Sequence, residues 1–405
     1  MMFLGLYSIS CLATESDFLS INGYGTIGGA YQDNKDVLYR DSYYADKGSQ
    51  GDFSFANYSI LGLQLDVTPT DKLSFTLQGI ASPNNENGKA IDIEWANIKY
   101  QINDAFDVRV GMMRLPTFMF SDILHVAYSY DWIKLPDMYS IVPINKYEGI
   151  ELSHRFNFND WSLSSTLLYG ETKGNIKPNQ NGKLSNLDIE ADDIYGATLK
   201  ALYHDLSFRV AYIKSSITIE DERMGAVLSQ FSLMGIPSIS TAIQKYQVEE
   251  TPISYLNIGA RYDFSNSYLL GEYLKVDSES FLPDISSWNI STGYNFETWS
   301  PFVAYSFTKN SSNYQSIPTE GMPIQVAGAI TGANQAFSAM SSNFDMDLET
   351  LSLGLRYDLD DNMLLKFQYD IKKEQKRDCI YLAPQSTLYF RRQYEIFNNL
   401  INHYA

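Results

Sequence analysis

Cysteine is nearly missing from this chain: Cys11 and Cys379 are the only two among 405 residues. Two thiols make neither a disulfide framework nor a thiolate metal site. Histidine is almost as scarce. His125, His154, His204 and His403 are scattered without ligand spacing, so no metal and no cofactor is implied. Long apolar runs are also absent. No window approaches the ~20 consecutive apolar residues of a membrane-spanning helix. That excludes a helical membrane protein but not a membrane barrel, whose strands are ~10 residues long and apolar at every second position. Charge is sparse, at 19% of residues, and its net value of −18 leaves no basic face for a nucleic acid.

Aromatic residues are abundant, with 30 Tyr and 22 Phe. They recur in one pattern: a strand ends in an aromatic, a short polar turn follows, and a new alternation begins. IKYQINDAFDVRVGM (98–112), HRFNFNDWSLSSTLL (154–168), LYHDLSFRVAYI (202–213), ARYDFSNSYLLGEYL (260–274), GYNFETWSPFVAYSF (293–307) and LRYDLDDNMLLKFQY (355–369) all read this way. Asn, Asp and Ser at the corners suit tight turns. The alternation has period two: Leu206, Phe208, Val210 and Tyr212 share one phase, and Ser207, Arg209 and Ala211 the other. One face therefore meets an apolar medium and the other a polar one.

A soluble sandwich alternates too, but three features favour a membrane barrel. Aromatics mark the strand ends (Tyr100, Phe156, Tyr203, Tyr262, Tyr294, Tyr357), as interfacial girdles do. Short turns alternate with long polar loops, as periplasmic turns do with extracellular loops. Gly, Gln, Arg and Asp recur on the polar face, as a watered lumen requires. Fifteen strands can be marked between residues 18 and 372, and a closed antiparallel ring calls for an even count, hence a sixteenth. The expected fold is all-β: a transmembrane antiparallel barrel of about 16 strands, a single domain over residues 14–405.

The ends are less regular. Residues 1–13 form a short apolar stretch ending Cys-Leu-Ala, which reads as a truncated signal peptide. Beyond residue 372 the alternation decays, and residues 373–405 read as an atypical closing segment consistent with a shifted frame. The piece from Ser386 to Phe397 is the candidate closing strand, and it would turn Arg392 toward lipid.

The stretch VRVGMMRLPTFMFSDILHVAYSYDWIKLPDMYSIVPINKYEGIEL (108–152) carries Arg109, Gly111, Arg114 and Pro116, then Tyr128, Tyr130, Trp132, Pro136 and Tyr139, and finally Tyr147 and Gly149. It resembles a gammaproteobacterial outer-membrane porin family of the 16-stranded general or specific type. The resemblance implies a bacterial outer-membrane pore for passive diffusion of small hydrophilic solutes and ions, embedded in the lipid bilayer and assembled as a homotrimer. It also implies that the long loop after the fifth strand, residues 116–146, folds into the lumen and narrows it. Packing agrees, because a loop with this many aromatics gains by burying them against a wall.

Polar-face bases include Arg109, Arg155, Lys200, Arg209, Arg261, Arg356 and Lys366; polar-face acids include Asp66, Asp107, Glu151 and Asp370. The expected constriction and selectivity residues are Arg109, Arg114, Tyr128, Tyr130, Trp132, Tyr139, Arg155 and Arg209, with a weak anion preference. A plainer reading pairs Arg155, Arg261 and Arg356 with carboxylates near the turns. Three other functions compete with a general pore. A solute-specific channel would use the aromatic loop as a stacking slide. An outer-membrane enzyme would need a nucleophile and base that neither His125 nor His154 provides with its neighbours. An energy-coupled transporter would need a plug and more strands than the length allows.

Overall fold

The computed structural model describes residues 18–32, 35, 38–42, 45, 47–84, 89–142, 144–177, 179–180, 183–184, 187–280, 282–313, 315–342, 346–375 and 385–395. The expected signal stretch 1–13 and most of the segment 373–405 lie outside these residues.

Sixteen strands follow the chain: β1 Leu19–Gln32, β2 Ile60–Thr70, β3 Leu73–Ala81, β4 Ile91–Gln101, β5 Phe106–Arg114, β6 Lys146–Phe158, β7 Trp161–Ile176 and β8 Leu187–Tyr203. Then come β9 Leu206–Glu220, β10 Thr251–Asp263, β11 Ser267–Ser278, β12 Asp284–Tyr294, β13 Trp299–Ser311, β14 Met346–Asp360, β15 Met363–Gln375 and β16 Gln385–Glu395. Each pairs antiparallel with its sequence neighbours. The ring closes at β1, which pairs with β2 from Leu19↔Val67 to Thr26↔Ile60 and with β16 from Tyr24↔Glu395 to Gln32↔Thr387. The register sets Arg392 opposite Ile27 and Leu365. A ring of this size leaves room for water inside.

The period-two phase sorts side chains as the sequence requires. Outward positions carry exposed apolar groups such as Leu63, Leu77, Ile98, Val110, Leu152, Leu167, Tyr212, Ile258, Val303 and Leu353. At the short-turn rim the outward aromatics meet one another, across strands or along one strand end. Trp161 stacks on Tyr203 at 4.7 Å, Trp299 on Tyr357 at 4.2 Å, and Tyr262 meets Phe264 at 4.8 Å. This is the girdle expected at a membrane interface.

Three further features of the structure matter. The acidic run LDIEADD (187–193) forms the outer end of β8, paired with both β7 and β9. The stretch 217–250 contains two helices, α2 Glu222–Ser232 and α3 Pro237–Tyr246, after the one-turn α1 Met138–Ile141. The Ser/Asn/Gly/Ala-rich stretch 309–347 holds a long helix, α4 Ile324–Ser342. Its apolar side reaches the α2–α3 hairpin, where Phe337 stacks on Tyr246 at 4.2 Å. Leu228, Ile239, Ile243 and Ile330 are buried with them, and this cluster continues onto inward-facing Ile213, Ile217, Tyr255, Leu274 and Val276. The upper lumen along β9–β11 is thus apolar because helices cover it.

Candidate pore constriction

Residues 115–145 leave β5, cross the lumen and return at β6. Nearly every residue from Leu115 to Ile144 is buried or half-buried. The loop's own core is aromatic: Phe118 packs on Tyr139 at 4.5 Å, and Trp132 lies 5.6 Å from both Phe120 and Phe302 and 6.3 Å from Tyr268. Burying such rings stabilises the docked loop by roughly 2–3 kcal/mol each.

Polar tethers fix the loop to the wall from β9 to β15. Arg209 donates to the Pro116 carbonyl at 2.8 Å. Glu272 on β11 accepts from the Met119 amide at 2.9 Å and the Tyr139 hydroxyl at 2.7 Å. Lys366 on β15 donates to the carbonyls of Ala127, Tyr130 and Trp132. Gln368 accepts from the amides of Ile133 and Lys134. Asp137 takes Lys134, Lys372 and the Thr350 hydroxyl. Burial pushes the Asp137 carboxyl up, but the two lysines outweigh it and hold the group well below the usual carboxylate range. Tyr139 moves the other way: burial and the Glu272 carboxylate raise its hydroxyl.

Most of the loop's tethers run to β9–β15, and the inward bases left partly open stand on β5, β6 and β8. There Arg109 bonds Glu151 at 3.3 Å, Arg155 bonds Asp107 at 2.6 Å, and Lys200 bonds Asp122 at 2.5 Å. The two sides of each pair are unequally open: 22% against 7%, 44% against 4%, and 45% against 35%. In each case the cation faces the water and its carboxylate sits deeper. Burial raises Asp122, yet Lys200 and Arg209 prevail and keep it ionised far below its ordinary range.

At the loop's root, Arg114 pairs with Glu94, which also lies 3.5 Å from the His125 Nε2; Lys146 bonds Asp92 at 2.6 Å. A register break in β4 between the partners of Gln78 and Gly79 turns Glu94 and Trp95 to the same side. Such a bulge re-aims one side chain. His125 is held below its ordinary pKa by burial and the Arg114 charge, against the pull of Glu94. Gly111 sits at φ +131° in this root, where a Cβ would come within 2.2 Å of the Ala96 carbonyl oxygen. Only glycine adopts that backbone without strain.

The residues expected at the constriction separate into two groups. Arg109 and Arg155 face the open lumen. Arg114 and Arg209 are buried, with side chains 2% and 3% exposed, and act as struts. Tyr130, Trp132 and Tyr139 spend their ring faces in the loop's core. Tyr128 is half-buried, its hydroxyl donating to the Asp361 carbonyl at 2.8 Å and its carbonyl taking Arg356. Arg261 and Arg356 bond Asp263 and Asp358 two residues on, and Arg155 bonds Asp107 across the sheet, as the plainer reading had it. Sequence reasoning missed Glu94, Glu272, Asp122, Lys134 and Asp137. Only Glu272 carried a signal, as the one acid in the otherwise apolar run YLLGEYL (268–274).

The sequence profile of the Gram-negative porin family matches residues 8–376. A search of curated protein sequences found no match. Among solved structures, the outer membrane channel DcaP of Acinetobacter baumannii superposes with a TM-score of 0.58, covering 95% of this chain and 100% of its own at 10% identity. The anion-selective porin of Comamonas acidovorans gives a TM-score of 0.54 over 93% and 99% at 13% identity. OmpT, an outer membrane protein of Vibrio cholerae solved in a trimer form, gives 0.53 over 94% and 100% at 11%.

Proposed function

Because this chain belongs to the Gram-negative porin family and is a diffusion channel of the bacterial outer membrane, we propose that small hydrophilic solutes and ions cross it between the inward loop and the wall β2–β8. The observation that carries this reading is the asymmetry of the lumen. On the β9–β15 side, loop and wall are tethered and the inward side chains are buried. On the β2–β8 side, Arg109, Arg155 and Lys200 keep 22%, 44% and 45% of their side chains open.

A weak anion preference follows from the same pairs. The bases that face the water stand nearer a passing ion than the carboxylates set behind them, so their charge weighs more along the path. The acidic outer end of β8 opposes this at the mouth, so the preference is modest. The test is the reversal potential of the refolded chain in a planar bilayer under a potassium chloride gradient. A sign favouring chloride supports the reading; a cation-selective sign overturns the preference and leaves the pore.

We read the chain as non-catalytic. Among the described residues, His125 is engaged with Glu94 beside Arg114 and Lys146, a charge cluster that anchors the loop's root. His154 stacks outward on Phe106 at 4.4 Å, away from the lumen. Assembly as a homotrimer is proposed from the family, and light scattering of the detergent-solubilised protein tests it.

A further inference from the structure

The wall of β4 to β6 holds more positive charge than it pairs. Lys99 on β4 stands directly across from Arg109 on β5, two like charges in a register that a sheet disfavours. Arg109 turns to Glu151, and Arg155 turns to Asp107. Lys99 is half-buried and joins no ion pair among the described residues. Its charged neighbours are Asp107, Arg109 and Arg155. Three bases therefore share two acids, and one positive charge is left over.

Beside these bases is an indole. Ile91, Ile93, Ile98 and Tyr100 of β4 are exposed on the outer face. The register break that turns Glu94 inward brings Trp95 with it. Trp95 is half-buried, and the guanidinium carbon of Arg109 lies 5.5 Å from the centre of its ring. The register sets Gly111 opposite Asn97, so the inward position of β5 between Arg109 and the level of Trp95 carries no side chain. A tryptophan on the outer face gains from lipid or its interface, and one turned toward water forgoes that gain unless something flat covers it. The pairing of Glu94 with Arg114 accounts for the bulge. It does not account for the indole carried inward beside it.

We propose that Trp95, Lys99 and Arg109 bind small aromatic monocarboxylates on their way through the pore. The surplus charge at Lys99 takes one carboxylate. Arg109 offers it planar N–H donors that match carboxylate geometry. Indole and guanidinium both stack on an aromatic ring. An aliphatic acid meets the charge but gains nothing from the ring faces, and a dianion exceeds the single surplus charge. All three side chains are part open, unlike the buried struts Arg114 and Arg209. The site deepens the anion preference proposed above and rests on that reading.

The test is block of the chloride current through the full refolded chain in a planar bilayer by sodium benzoate, cyclohexanecarboxylate or acetate. The expected result is a saturable block by benzoate, several-fold weaker with cyclohexanecarboxylate and absent with acetate. Lys99→Gln should weaken the benzoate block at least several-fold, and Trp95→Leu should erase its advantage over cyclohexanecarboxylate. Lys99→Gln removes a charge that no carboxylate pairs, so it decides the matter if Trp95→Leu does not refold. No saturable block in the wild type, equal block by benzoate and cyclohexanecarboxylate, or a benzoate block as strong in Lys99→Gln as in the wild type overturns the proposal. Saturation-transfer NMR of benzoate on the same preparation keeps site and pore apart. Ohmic steps with neither block nor transfer reject the site and keep the pore; saturable transfer that Lys99→Gln abolishes, without steps, keeps the site and rejects the pore.

Discussion

Replacing Lys366 with methionine should loosen the inward loop without opening the barrel. The Lys366 side chain is fully buried, and its ammonium donates to three loop carbonyls, those of Ala127, Tyr130 and Trp132. It also lies 4.9 Å from the centre of the Tyr130 ring. Methionine fills similar space and donates nothing. Each stranded buried carbonyl costs about 1–3 kcal/mol, so three would cost about 3–9 kcal/mol. Relief from burying an ammonium returns several kcal/mol of that. The net weakening of loop docking is therefore on the order of 2–4 kcal/mol, set against tethers at Glu272, Gln368 and Asp137 that remain. A loop weakened this much fluctuates rather than detaches. Single-channel records of Lys366→Met should show higher open-channel noise, brief subconductance steps and a larger mean current. Heat-modifiable gel migration should be unchanged, because the strand ladders are intact. Quiet records at wild-type conductance would refute the reasoning. So would a variant that fails to form a barrel, since Lys366 would then hold the wall rather than the loop.

Other outcomes follow from the same geometry. Arg155→Glu and Lys200→Glu each move the reversal potential toward cations, whereas Arg114→Met leaves it in place and lowers the refolding yield, because breaking a buried pair costs about 3–5 kcal/mol. Gly111→Ala lowers the urea midpoint by an amount equivalent to about 1–3 kcal/mol, the cost of a side chain in that backbone region. Asp41, raised to about 7, binds its proton more tightly folded than unfolded. Docking of the first extracellular loop therefore weakens as pH rises from about 4 to 7 and is level above that. His125, held low, acts in the opposite sense below its ordinary pKa, so the Asp41 part is read as the difference between wild type and Asp41→Asn in limited proteolysis across that range.

Most of the wall was legible in the sequence because a barrel strand is nearly a direct transcript of its surroundings. The alternation of Leu206, Phe208, Val210 and Tyr212 with Ser207, Arg209 and Ala211 gave β9 its faces, and the rim aromatics gave each strand its lower end. Legibility stopped where the lumen is not watery. In β11, inward Leu270, Leu274 and Val276 are as apolar as outward Leu269 and Tyr273, since helices and the loop cover them, and Glu272 looks out of place until Tyr139 meets it. The β4 bulge at Glu94 and Trp95 breaks the period and hid the partner of Arg114. The loop's aromatics were visible as a group to be buried. Which bases stay open and which become struts depends on the wall the loop chooses, and that choice rests on partners far along the chain, 78 residues for Lys200 and Asp122 and 239 for Lys366 and Ala127.

The central claim is that water runs along β2–β8 and not behind the loop. It is tested most directly by thiol modification in a background with Cys11 and Cys379 replaced by serine. Ser153→Cys places a thiol on the inner wall of β6, and Thr350→Cys places one on β14 beneath the loop, where Thr350 is 3% exposed and bonds Asp137. A cationic methanethiosulfonate reagent added during bilayer recording should cut the current through Ser153→Cys within minutes and leave Thr350→Cys untouched. Rapid block of Thr350→Cys with no effect at Ser153→Cys would put the pathway on the other side of the loop and contradict the account.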